Sequence, residues 1–196
     1  MSSPFQHSAA RGSTLPFLAD AIRRIHETDV FDRPAEVLRR IAEAALTSPR
    51  VRSVLRGEQI GHALHPILTD FPLGAWTSTS LLDLFGGPRA RPAATGLLSF
   101  GIAAAVPTAL SGLAEWQKTT GPARRVGTGH AIVNSAALAL YSSSLVARLR
   151  DRHTTAVALG LAGGLMAIVG GYLGGHLSLT LKVGTTDPAM AQEGSR

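Results

Sequence analysis

The chain has 196 residues, 45% of them hydrophobic and only 16% charged, a charge content low for a soluble protein. It contains no cysteine, which excludes disulfides, thiolate zinc sites and cysteine-held iron–sulfur clusters within this chain. Its net charge of +6 does not make it a nucleic-acid binder, because the arginines fall in the N-terminal region and in short loops, without an aromatic-interleaved basic stripe.

The opening stretch, MSSPFQHSAARGSTLPFLADAIRR, has no apolar core of signal-peptide length, so membrane insertion is expected to be directed by the first spanning segment. Residues 15–27 place Phe17, Leu18, Ala21, Ile22 and Ile25 at helical spacing. Residues 34–46 repeat the pattern through Val37, Leu38, Ile41, Ala45 and Leu46, with Asp32 or Arg33 as the expected cap and Pro34 in the first turn. VRSVLRG adds a third amphipathic turn ending at Gly57. These pieces are too charged to span a membrane, so residues 1–60 are expected to form an interfacial or capping helical region.

Four apolar segments follow, at about residues 66–85, 93–116, 128–147 and 154–181, each near the ~20 residues that cross a bilayer. A soluble bundle would need charged outer faces, and residues 126–147 carry no Asp, Glu, Lys or Arg. The connections GGPRARP, QKTTGPARRVG and RLRDRH are short, which makes neighbours antiparallel. The expected fold is therefore all-α: a four-helix transmembrane bundle, up-down-up-down, over residues 61–182, with a polar tail at 183–196. Four crossings put both termini on one side. Near the helix ends, seven basic residues on that side (Arg50, Arg52, Arg56, Lys118, Arg124, Arg125, Lys182) face five on the other (Arg89, Arg91, Arg148, Arg150, Arg152), which favours cytoplasmic termini.

The segments also resemble each other in pairs. HPILTDFPLGAWTSTSLL lies over HAIVNSAALALYSSSLVA, so that His65 matches His130, Leu73 matches Leu138 and Trp76 falls opposite Tyr141. At a closely similar offset, Val106, Leu110 and Gly112 meet Val169, Leu173 and Gly175. Each unit reads as a two-helix hairpin, the two related by an axis along the membrane normal.

Alternating direction then collects the polar groups. His65 begins the first span, Glu115 ends the second, His130 begins the third and His176 approaches the end of the fourth, all toward the side of the termini. Asp70 lies one and a half turns inside His65, and Asn134 one turn inside His130. The stripe His65–Thr69–Pro72–Trp76–Thr79 is matched by His130–Asn134–Ala137–Tyr141–Ser144, and Tyr172 lies one turn from His176. Polar groups within a span are costly and normally turn inward toward partners. Pro72 is expected to kink the first span. The glycines of GGYLGGH, with Gly101 and Gly112, make close-packing faces and room for a flat cofactor.

The motifs LHPILTDFPLGAW, SGLAEWQKTTGPARRVGTGHAIVNSAA and GGYLGGHLSLTLKVG resemble a prokaryotic four-helix integral-membrane domain of unknown function, found alone or fused to a Rieske-type ferredoxin domain. The likeness covers about residues 57–184. It implies a redox partner or a membrane anchor for such ferredoxins. With no cysteine in this chain, an iron–sulfur partner would be a separate chain.

Three functions fit these residues. The first is a b-type cytochrome-like subunit, with haem b held by two of His65, His130 and His176, and with Asp70, Asn134 or Glu115 as acceptors for the free ring nitrogens. The second is a single-metal or proton-relay site built from the three histidines with Asp70 or Glu115. The third is a non-catalytic anchor or assembly subunit, in which the histidines only tie helix ends together. No Ser-His-Asp geometry supports hydrolysis.

Overall fold

The structure, a computed structural model, describes residues 16–184. Residues 1–15 and most of the expected polar tail lie outside the described residues, as does the side chain of Phe17.

The described chain is all-helical. Three short helices, α1 (Pro16–Glu27), α2 (Asp32–Ala45) and α3 (Pro49–Leu55), precede four long ones, α4 (Leu64–Phe85), α5 (Arg91–Trp116), α6 (Gly121–Leu149) and α7 (His153–Gly175). A single turn over Asp29–Phe31, capped by Thr28, joins α1 to α2, so the cap expected at Asp32 or Arg33 is displaced to Phe31, which makes no side-chain cap.

Three stretches are long and apolar enough to cross a membrane: Pro88–Trp116 (29 residues), Gly121–Leu149 (29 residues) and His153–Thr180 (28 residues). α4 has 22 residues, length enough to span, but is not among them. Its two aspartates, its histidine and the run Thr77-Ser78-Thr79-Ser80 dilute its apolar character. The four expected spans are therefore three by composition, with α4 as a long polar-striped companion.

Two boundaries shift. QKTTGPARRVG is mostly helix: α6 begins at Gly121, with Pro122 in its first turn where a missing N–H costs little. His130 accordingly lies well inside α6 and does not begin it. α7 passes into a π-turn over His176–Thr180.

The long helices pack as two hairpins. α4 lies along α5 and α6 along α7, while the α5–α6 and α4–α7 interfaces are much sparser. Thus α4 and α6 stand diagonally across the assembly. Its centre is closed by large side chains reaching inward, Trp76 and Tyr141 with Leu98, against the small residues Ala105, Ala137 and Ala167.

α4 runs through Pro72 without a break. The proline cannot bond the Leu68 carbonyl four residues back, and the Thr108 hydroxyl of α5 donates to that oxygen at 3.1 Å. The three short helices rest on one end of the hairpins. Arg125 of α6 reaches both Asp32 oxygens (2.9 and 3.0 Å) and the His26 carbonyl (2.8 Å). Arg56 donates to Ala114 O at 2.9 Å, and Ser111 to Leu55 O at 2.6 Å.

Candidate functional site

At the end covered by the short helices, His65 of α4 and His130 of α6 meet across the diagonal. Their ring centroids are 6.0 Å apart and their planes stand at 84°. His65 Nδ1 lies 2.9 Å from the Thr108 carbonyl and His130 Nδ1 2.9 Å from the Gly170 carbonyl. A carbonyl only accepts, so each Nδ1 carries a proton and Nε2 is the nitrogen left to face the cavity, that of His130 lying 3.3 Å from the Asn134 amide nitrogen. The acceptors at Nδ1 are thus main-chain oxygens of the facing helices, in place of the expected Asp70 or Glu115, while Asn134 stands beside the His130 ring.

The two histidines are held by equivalent devices. A Cβ at Gly112 would lie 2.7 Å from the His65 ring, and one at Gly174 would lie 3.1 Å from the His130 ring. Trp76 packs over Gly101, as Tyr141 does over Gly163. Thr79 donates to Ala94 O at 3.3 Å, and Ser144 to Ala156 O at 2.6 Å. Every pair on α4 and α6 is separated by 65 residues, and every pair on α5 and α7 by 62. The second register is one residue away from the offset expected from sequence, because the side chains that define it seat on Gly112 and Gly174, not on Gly175.

Three of these equivalent pairs touch each other. His65 faces His130, Trp76 stacks on Tyr141 with centroids 4.2 Å apart, and Asp83 forms an ion pair with Arg148. The Asp83 and Arg148 side chains are 3% and 4% exposed, with Nη1 to Oδ1 at 3.0 Å. Sequence reasoning missed this ion pair. The 65-residue offset that matched the histidines would have found it.

Between the hairpins lies a cavity of about 470 Å³. His65, Trp76 and Glu115 line it from one hairpin, and His130, Asn134 and Gly174 from the other. Asn134 donates to the His130 carbonyl at 2.9 Å and stands 3.3 Å from both of that ring's nitrogens. The buried Oε1 of Glu115 makes no hydrogen bond among the described residues.

The remaining expected site residues lie elsewhere. Asp70 is exposed. At about 100° per residue it sits some 140° around α4 from His65, outside the inward stripe. Tyr172 is 38% exposed, off the Gly170–Gly174 face that meets His130 and Asn134. His176 turns to α1, where its Nε2 stands 3.3 Å from Nε2 of His26, a partner that sequence reasoning did not identify. Consequently the three histidines do not converge, and among the described residues no three His, Cys, Asp or Glu side chains form a metal-ligand group.

No match was found among curated proteins or solved structures. A family model described as predicted membrane protein (DUF2231) matches residues 61–187, from the turn before α4 to beyond the π-turn. By that match, which takes in both hairpins and the cavity between them, the chain belongs to this family of predicted membrane proteins.

Proposed function

We propose that this protein is a membrane-embedded redox subunit in which His65 and His130 hold one haem b between the two hairpins. One observation carries this reading: two imidazoles, each held through Nδ1 by a main-chain carbonyl, stand with ring centroids 6.0 Å apart on opposite hairpins. His65 and His130 both line the cavity between the hairpins, and their Nε2 atoms would hold the iron of such a group. The sparse interface between hairpins suits a flat group lying between them, and Trp76 and Leu138 line the cavity with apolar surface. Such a group supplies one-electron transfer. The chain's own part is to orient both rings and to keep bulk water away.

In this reading α4 is the fourth span, its polar side chains His65, Thr79 and Asp83 turned toward the other helices. Four crossings place both ends of the bundle on one side, and the balance of seven basic residues against five favours the cytoplasm. The helices before residue 61 cap the histidine end. A carrier without its own iron–sulfur centre needs a separate partner, and the sequence resemblance suggests a Rieske-type ferredoxin.

The test is the visible spectrum of the protein, purified in detergent after expression with haem supply, before and after dithionite, together with metal analysis. A Soret band that shifts on reduction, and that is lost in both His65→Ala and His130→Ala, supports the reading. Absence of the band overturns it. The two histidines would then tie the hairpins through the Thr108 and Gly170 carbonyls, as an anchor or assembly subunit requires. A bound zinc or iron ion without haem would favour a His65–His130 metal site completed by other ligands.

A further inference from the structure

His26 and His176 form a second histidine pair, apart from the cavity between the hairpins, which neither of them lines. His26 sits in the last turn of α1, and His176 opens the π-turn that follows α7. They are 150 residues apart in sequence, and both are half-buried, within reach of solvent. A π-turn is rare and often marks a functional position.

The two Nε2 atoms stand 3.3 Å apart, while the ring centroids are 5.3 Å apart and the planes are tilted by 44°. The rings therefore face each other through their Nε2 edges and do not stack. An imidazole nitrogen either donates a proton or offers a lone pair, so two facing nitrogens need one positive centre between them. A shared proton is one way to supply it, but 3.3 Å is long for an N–H hydrogen bond. A metal ion is the other. Two imidazole nitrogens, each about 2.0–2.1 Å from one tetrahedral ion, stand about 3.3–3.4 Å apart. The Arg125 guanidinium, which donates to the His26 carbonyl, is neutralised by Asp32.

We infer that His26 and His176 bind one first-row divalent metal ion of the zinc, nickel or copper class through Nε2. Imidazole suits these ions. Among the described residues no third histidine or carboxylate joins the pair, so water fills the other positions on the ion and the site is open, unlike a closed structural one. An ion held there ties α1 to the end of α7. It stabilises that docking because only the docked arrangement brings both rings to it. The site does not depend on haem in the other cavity.

The experiment titrates the full chain, without an affinity tag and in detergent at about pH 7.5, where imidazole is neutral, with zinc in a calorimeter. His26→Ala, His176→Ala and His62→Ala are titrated alongside, His62 being an exposed histidine in the turn before α4. Losing a group that merely orients a ligand costs about tenfold or more in metal affinity, and losing a ligand costs at least that. Zinc binding that weakens by about tenfold or more in both His26→Ala and His176→Ala, and stays within about twofold in His62→Ala, supports the site. Hydrogen exchange of the α1 amides separates ligand loss from misfolding. Zinc should slow it in the parent protein and leave it unchanged in His176→Ala, where α1 itself is intact. No zinc binding by the parent, binding kept in either pair variant, an equal loss in His62→Ala, or α1 exchange indifferent to zinc would overturn the inference.

Discussion

Asp83 and Arg148 meet at equivalent positions of the two hairpins, and their environment makes a quantitative prediction. Both side chains are nearly inaccessible, at 3% and 4%, so removing one partner leaves an uncompensated buried charge. Breaking such a pair costs about 3–5 kcal/mol, which for a chain of this size lowers Tm by roughly 6–20 °C. Asp83→Asn should therefore melt far below the parent protein in detergent. Arg148→Asp should melt lower still, because it sets two carboxylates against each other. Since the positions are equivalent, the exchanged pair Asp83→Arg with Arg148→Asp should recover most of the loss. The assay is thermal unfolding of the parent, Asp83→Arg, Arg148→Asp and the exchanged pair, treated as a double-mutant cycle, with Asp83→Asn melted alongside. A cost below about 1 kcal/mol for Asp83→Asn would instead mean that water reaches the pair and that it is not a buried ion pair.

The glycines give a contrast on a single helix type. A Cβ at Gly163 would stand 3.2 Å from the Tyr141 ring, and one at Gly101 would collide with Trp76, whereas Gly96 and Gly74 have nothing within 4 Å. Gly101→Ala should cost about 1–3 kcal/mol and Gly96→Ala should be neutral or stabilising by up to about 1 kcal/mol, read from the same melting curves. Docking of the short helices should respond to acid. Arg125 hydrogen-bonds the Asp32 carboxylate and holds its pKa below the ordinary value, so this contact is complete above the ordinary carboxylate pKa and is lost as the pH falls through the lowered folded value. Hydrogen-exchange protection in α2 should drop below about pH 4, and Asp32→Asn should already show the reduced protection at pH 7. An unchanged acid step in that variant would remove Arg125–Asp32 as its cause. Finally, Gly112→Leu should displace the His65 ring and remove any haem band, while Gly74→Ala, with open space around its Cβ and outside the cavity lining, should leave the spectrum intact.

Much of this arrangement was legible in the chain. Helix positions follow from apolar periodicity, and Pro34 marks the first turn of α2, whereas the start of α6 at Gly121 was not foreseen. The pairing of His65 with His130, and of Trp76 with Tyr141, follows from the 65-residue offset, because equivalent residues of two similar hairpins stand at equal depth. Periodicity also places His65 and Trp76 on one face of α4, and it should have excluded Asp70 from that face. A helix fixes angles among its own residues, and those angles are local properties.

What lay beyond the sequence is which neighbour each face meets. The register between α5 and α7 was one residue away from the offset that residue matching suggested, because it is set by aromatic rings seated on bare glycine backbone, a contact between helices. His176 looked like a third member of the cluster until α1, more than 140 residues earlier in the chain, brought His26 against it. The Asp83–Arg148 pair forms only because α4 and α6 stand diagonally, close enough for long side chains though their backbones lie apart. Residue spacing along the chain sets the helices, their inward stripes and the repeat. Which stripes face each other is settled by folding, since packing between helices depends on the volumes and polar partners of all the faces at once.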